Sequence, residues 1–183
     1  MLSNKKTTNK FLIIFSILLI AVNLLVPAAK VYAQSQSYIE EQVGQMFKEE
    51  LVCLAQNIYF ESANESMEGK LAVAQVTLNR VNSGKFANTI CGVVKQKDRI
   101  NGVMVCQFSW FCNAAYTKLI RSPQKWQESE EAARIALTEP VAHDILYNNR
   151  AMYYHANYVN PGWKLTKITQ IGNHIFYKEN KKI

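Results

Sequence analysis

The stretch Leu54–Val81, LAQNIYFESANESMEGKLAVAQVTLNRV, sets the reading of the fold. Its two flanks repeat apolar residues at helical steps, and a short acidic turn separates them. Upstream, Ile39, Val43, Met46, Phe47, Leu51, Leu54, Ala55 and Ile58 recur at three- and four-residue intervals, which predicts a helix over 38–60. Downstream, Leu71, Ala74, Leu78 and Val81, flanked by Val76, predict a second helix over 68–82, which Ser83-Gly84 ends. Between them lie Glu61, Glu65 and Glu68.

Further along, residues 89–96 suit a short helical piece, whereas 97–121 show no clean period and read as a long loop holding CQFSWFC. Ser122-Pro123 has the form of an N-cap followed by Pro in the first turn. That helix should run to about Leu137, with Trp126, Ala133 and Leu137 inward, and Glu139-Pro140 marks its break. AMYYH at 151–155 and HIFYK at 174–178 are rich in aromatic and β-prone residues and suit two strands. The expected fold class is α+β, mainly α, one domain with a small β element. No internal repeat or linker interrupts it.

The N-terminus is of a different kind. Lys5, Lys6 and Lys10 precede the apolar run FLIIFSILLIAVNLLV at 11–26, and Val31 and Ala33 offer an A-x-A-like end. This is the pattern of a secretory signal peptide, with the cut expected after Ala33. An uncut membrane anchor is the rival reading, but sixteen residues fall short of the roughly 20 a spanning helix requires. The full chain of 183 residues carries 21 Lys and Arg against 14 Asp and Glu, a net charge of +7. Residues 1–33 hold four of the lysines and no acid, so 34–183 carry only +3. Much of the basic excess thus belongs to the leader, and no dense Lys/Arg patch remains to bind nucleic acid. No stable membrane span is expected after signal cleavage.

Cys53, Cys91, Cys106 and Cys112 lie in the exported part, where an even count argues for disulfides. Of the three possible pairings, Cys106 with Cys112 and Cys53 with Cys91 are favoured; the first closes a short loop and the second ties a helix to a later segment. A zinc site is the weaker alternative, because the chain has no CxxC pair. His143, His155 and His174 match no metal-binding spacing, and no phosphate-binding or nucleophile-elbow motif is present. Neither a metal nor another cofactor is expected.

Three segments can carry chemistry. In YFESANESMEG, Glu61 ends an apolar helix beside Tyr59 and Phe60. Apolar surroundings disfavour a carboxylate and raise its pKa, as a general acid for glycoside cleavage requires. A solvated helix-end carboxylate fits the spacing equally well. Glu65 suits a role in orienting the turn, and Glu68 favours the start of the second helix through its dipole. In CQFSWFCN, Gln107, Ser109 and Asn113 supply short polar groups beside the flat faces of Phe108, Trp110 and Phe111. That mixture suits a saccharide groove, although the alternation also suits a half-buried strand. In YYHANYVNPGW, Tyr154 and His155 are candidate groove residues; a lone histidine is more often a hydrogen-bonded core residue.

The ordered series of this long stretch, FANTICGVVKQ, CQFSWFC, AMYYHANYVNPGW and IGNHIFY resembles the SleB-like cell wall hydrolase family over about residues 50–178. The resemblance implies a lysozyme-like domain of the lytic transglycosylase kind that acts on peptidoglycan glycan strands. It places the catalytic glutamate at Glu61 and implies that Gln107, Ser109, Tyr154 and His155 line the groove. Glu65 and Trp110 are added as candidate substrate contacts. The family's E-A-R-x-E segment reads Glu61-Ser62-Ala63-Asn64-Glu65 here. The implied product is a 1,6-anhydro sugar, which explains how one carboxylate suffices where most glycosidases use two. Asp144 and Glu65 are the second carboxylates to test, and either would favour ordinary hydrolysis. A non-catalytic glycan-binding module and a metal-dependent amidase are the rival functions.

Overall fold

The computed structural model describes residues 4–113, 120–139 and 141–180. Its contacts divide the chain into two compact units, Met1–Met46 and Phe47–Ile183. The first helix, α1, spans Asn4–Ser62. Among the described residues, no helix is long and apolar enough to cross a membrane. Tyr38, Ile39, Val43, Met46 and Phe47 are exposed, so the periodicity expected to face a core does so only from Leu51 onward. Periodic spacing records that a face is apolar, and burial of that face depends on what packs against it.

The second unit is organised around α2, Met67–Val81. Ser66 caps it by accepting from the Gly69 N–H, and Glu68 stands in its first turn. The helix is buried almost all round. Ala72, Val73, Ala74 and Val76 enter the core together with the polar Gln75, Thr77, Asn79 and Arg80. Each of these polar residues reaches another segment. Gln75 Oε1 accepts from the backbone N–H groups of Ala142 and His143 at 3.0 and 3.1 Å. Asn79 Nδ2 donates to the carbonyls of Leu146 and Ala151, and Arg80 Nε donates to Met152 O at 2.8 Å. Thr77 Oγ1 accepts from Asn57 Nδ2, which joins α2 to α1. A buried polar group without a partner costs about 1–3 kcal/mol, so these bonds fix the segment 142–152 against the helix.

Around α2 stand α3, Ile90–Val94, and α5, Pro123–Thr138. The Ser122 cap with Pro at the helix start matches the sequence expectation, and Ala133 is buried, with Trp126 and Leu137 packed against the core. Pro140 lies outside the described residues, as do 114–119. A short helix, α6 (Asp144–Asn148), was not foreseen; it buries Leu146.

Among its described residues, the expected loop over 97–121 holds regular elements instead. β1 (Lys97–Ile100) and β2 (Val103–Cys106) pair antiparallel, with Asn101 and Gly102 both at positive φ in the turn. Ser109–Cys112 then forms a helical turn, α4, which overturns the strand reading of QFSWF. The two strands expected near the C-terminus are present as β3 (Tyr153–Ala156) and β5 (His174–Lys178), and both pair antiparallel. A third strand, β4 (Thr166–Ile171), completes the sheet in the order β3-β5-β4. One face of this sheet sends Tyr154, Ile171 and Phe176 toward Ala72 and Val76 of α2.

Both favoured disulfides are present. Cys53–Cys91 ties α1 to α3 across 38 residues, and Cys106–Cys112 joins the end of β2 to α4.

Candidate active site

Glu61 lies in the last turn of α1, where it borders a cleft of about 440 Å³. Among the described residues, Phe60, Ser109, Trp110, Asn113, Tyr154, His155, Ala156, Tyr158 and His174 also line it. α1 supplies the acid, α4 supplies Ser109 and Trp110, and the β3–β5 pair supplies the tyrosine and histidine side. Cys106–Cys112 holds α4 at the end of its hairpin.

Burial pushes the Glu61 carboxyl above the ordinary glutamate range, while a hydrogen bond from Tyr154 and the charge of Arg80 oppose that shift. Tyr154 Oη donates to Glu61 Oε2 at 3.0 Å. Burial and the neighbouring carboxylate hold the phenol well above its usual range, so Tyr154 stays a donor. With Oε2 occupied, Oε1 is the oxygen left to carry a transferable proton. The Arg80 guanidinium is itself buried between the rings of Phe86 and Phe108, 5.1 and 4.9 Å from their centroids. Its charge acts on Glu61 through the protein interior, where screening by water is weak.

The histidines have separate jobs. His155 Nδ1 lies 2.9 Å from Ala156 O, so that nitrogen carries the hydrogen and Nε2 accepts from Tyr177 Oη, also at 2.9 Å. Both ring nitrogens are thus engaged by the protein. His174 is buried against Tyr154, which lowers its pKa and keeps it neutral. Trp110 stacks on Phe60 at 4.5 Å and donates Nε1–H to Asn57 Oδ1. With 7% of its surface exposed, Trp110 is a wall of the cleft anchored in the core.

Glu61, Ser109, Trp110, Tyr154 and His155 are therefore brought together. Gln107 and Glu65 are not among the lining residues. Gln107 donates to Asp98 Oδ2 at 2.6 Å and braces the β1–β2 hairpin. Glu65 accepts from the backbone and side chain of Asn173, at 3.2 and 3.0 Å, and ties the α1–α2 turn to the β4–β5 turn. Asp144 opens α6 and borders a different depression with Val141 and His143. Sequence reasoning missed Tyr158, His174 and Arg80. The aromatic run 153–163 contained the first, but a buried arginine inside an apolar helix gave no signal of its own. Among the described residues, no group of three His, Cys, Asp or Glu side chains is placed to hold a metal ion.

The family model described as Cell Wall Hydrolase matches residues 64–177, so Glu61 stands just before the matched stretch. A spore cortex-lytic enzyme of Oceanobacillus iheyensis is 32% identical over 127 residues, covering 68% of this chain and 40% of that protein. The spore cortex-lytic enzyme of Bacillus subtilis is 31% identical over 130 residues, covering 67% and 35%. The chain thus matches well under half the length of these relatives. Among solved structures, the catalytic domain of the Bacillus cereus SleB protein aligns with a TM-score of 0.51 at 26% identity, over 72% of this chain and 91% of that one. The catalytic domain of a germination-specific lytic transglycosylase, SleB from Bacillus anthracis, aligns with a TM-score of 0.53 at 27% identity, over 70% and 93%. The α+β, mainly α, lysozyme-like fold expected from the sequence is the one these alignments share. On the extent of the family match and the identity of its relatives, this chain belongs to the cell wall hydrolase family.

Proposed function

We propose that the chain cleaves peptidoglycan glycan strands as a lytic transglycosylase, with Glu61 as both acid and base. The observation that carries this reading is the solitary acid: Glu61 is the one carboxylate among the described residues that line the cleft. Residues 114–119, AAYTKL, contain no acidic side chain either. A paired-carboxylate glycosidase places two such groups across the scissile bond. Glu65 and Asp144, the candidate second carboxylates, are committed elsewhere or border another depression.

The steps balance without water. Glu61 gives its proton to the glycosidic oxygen that leaves N-acetylmuramic acid. The bond from that oxygen to C1 breaks, and C1 takes on oxocarbenium character. The sugar's own 6-hydroxyl then bonds to C1 while the Glu61 carboxylate takes the hydroxyl proton. The acid is regenerated and the product is a 1,6-anhydro end. A pKa raised by burial keeps the acid protonated closer to neutral pH, as the first step demands.

The same reading holds that residues 1–33 direct export and are cut after Ala33, and that 34–183 act at the cell wall, in the periplasm or outside the cell. Two disulfides fit an oxidising compartment, and the relatives are named for lysis of spore cortex. N-terminal sequencing of secreted protein should return Gln34 as the first residue; a retained N-terminus would overturn this part.

Mass spectrometry of digested peptidoglycan tests the chemistry. Anhydro ends are expected, and reducing ends would replace transglycosylation by hydrolysis. Glu61→Gln should abolish release, whereas turnover at the wild-type rate would remove Glu61 from the reaction. Chelator should leave activity unchanged; its loss would favour the amidase.

A further inference from the structure

The face of the C-terminal sheet that turns away from α2 carries aromatic rings that neither hydrophobic cluster uses. Tyr154 and Phe176 point inward, so the strand alternation sends Tyr153, His155 and Tyr177 to the opposite face. Tyr153 and Tyr177 are register partners on adjacent strands. Trp163 folds over them from the β3–β4 connection. It meets Tyr153 at 6.2 Å, His155 at 5.4 Å and Tyr177 at 5.9 Å, edge to face each time. His155 and Tyr177 stack on each other at 5.1 Å. The turn that delivers Trp163 is built for the purpose: Gly162 sits at φ 66° and donates its N–H to Asn160 Oδ1.

None of these four residues belongs to the core clusters, yet each packs against at least one of the others. Tyr153 Oη donates to Glu179 Oε1, and Tyr177 Oη donates to His155. Trp163 nonetheless leaves 43% of its surface exposed. Lys167 pairs with Tyr177 and Gln170 with Ile175, so flexible polar side chains rim the same face. Mutually packed rings with a partly free surface and polar groups at the edge suit a saccharide. The rings cover the apolar C–H face of the sugar at little entropic cost, and the rim bonds its hydroxyl and acetamido groups. His155 borders the cleft as well, so the face is continuous with the proposed site of cleavage.

We infer that Trp163, with Tyr153 and Tyr177 and with His155 at the border shared with the cleft, forms a second saccharide-binding surface beside the cleft that holds a length of glycan strand while another length is cut. This rests on the peptidoglycan reading and extends it from one site to two. A surface of this kind would retain the enzyme on a polymer between cleavages and supply binding from parts of the substrate remote from the scissile bond.

The test uses the full chain with Glu61→Gln to prevent turnover, and calorimetric titration with two probes. The first is soluble, uncrosslinked glycan strands many disaccharides long. The second is a short oligosaccharide of two disaccharide repeats, enough for the cleft alone. Adding Trp163→Ala should weaken long-strand binding about ten-fold and leave the short probe unchanged, and Trp163→Phe should restore most of the loss. Equal long-strand affinity in the alanine variant would overturn the inference, as would an equal loss for both probes or no recovery with phenylalanine. Failure of the Glu61→Gln protein to bind either probe would sink the peptidoglycan reading itself, a different result from a loss or retention confined to Trp163.

Discussion

Tyr154→Phe removes one oxygen from the site and leaves the ring against His174 and Phe176. In the wild type that oxygen donates to Glu61 Oε2 at 3.0 Å. A hydrogen bond to a charged group contributes about 1.5–3 kcal/mol, and the same bond to the neutral acid about half as much. The difference, about 0.75–1.5 kcal/mol, is what the phenol contributes to stabilising the ionised form over the protonated one. Its loss should bind the Glu61 proton roughly three- to ten-fold more tightly and so raise the pKa further. The sign follows from the role. An acid catalyst works protonated, so kcat/KM falls as pH rises through its pKa, and the variant's alkaline limb should move to higher pH accordingly. The assay is the pH dependence of soluble fragment release from a peptidoglycan suspension, run on wild type and Tyr154→Phe in parallel. An unmoved limb, or one displaced to lower pH, would refute the account of how Glu61 is tuned.

Other consequences can be checked separately. Glu61 holds a proton more tightly folded than unfolded, so its contribution to stability is complete below the ordinary glutamate value and lost as pH rises through the raised one. Glu61→Gln should therefore melt higher than wild type at pH 7, with the gain shrinking toward about pH 4; a lower Tm at pH 7 would contradict it. The two disulfides should separate stability from placement. By loop length, removing Cys53–Cys91 costs about 4 kcal/mol and removing Cys106–Cys112 about 2 kcal/mol. Alanine at both positions of the second pair should nevertheless reduce activity more in the protein that remains folded, since that bridge holds α4; denaturant melts and fragment release measured on both variants decide this. Asn79→Ala strips the side-chain donor from two buried carbonyls and should destabilise by about 2–3 kcal/mol; a change under 1 kcal/mol in urea denaturation would count against the bracing role of α2.

What the sequence revealed followed from local physics. α5 was legible from its Ser122-Pro123 start, and α2 from apolar positions that recur at helical steps and from the Ser83-Gly84 stop. The β1–β2 hairpin was not, because Ile100, Val103, Met104 and Val105 are all exposed, so no buried face imprints a period of two. Its one local sign was the Asn101-Gly102 dipeptide, whose positive φ values suit a hairpin turn. β4 hid for a related reason: it is an edge strand with a register shift between Lys167 and Thr169. In the site, Glu61 stood out by its apolar neighbours, whereas Arg80 could be placed only once the strand beside it was known. Gln107 and Glu65 show the converse limit. Nothing in a polar side chain's identity reveals whether it faces a ligand or braces a turn, and here both brace turns.

The position of Glu61 is itself an energetic choice. The last turn of a helix presents unpaired carbonyls and the negative end of the macrodipole, and α1 has no basic residue there to offset it. That placement acts in the same direction as burial and favours the protonated acid. Unopposed, the two effects would leave a group too weakly acidic to give its proton away and too reluctant to exist as the carboxylate that must later take one. Tyr154 and Arg80 are the counterweights, and α2 sets both. Arg80 lies on that helix, and its Nε holds Met152 O, while Asn79 holds Ala151 O, immediately before the strand that carries Tyr154. The buried polar face of one helix thus fixes where the phenol meets the carboxylate and how much positive charge the carboxylate feels. Moderate opposition from two sources, each positioned by the same helix, is what lets one glutamate serve as acid in one step and base in the next.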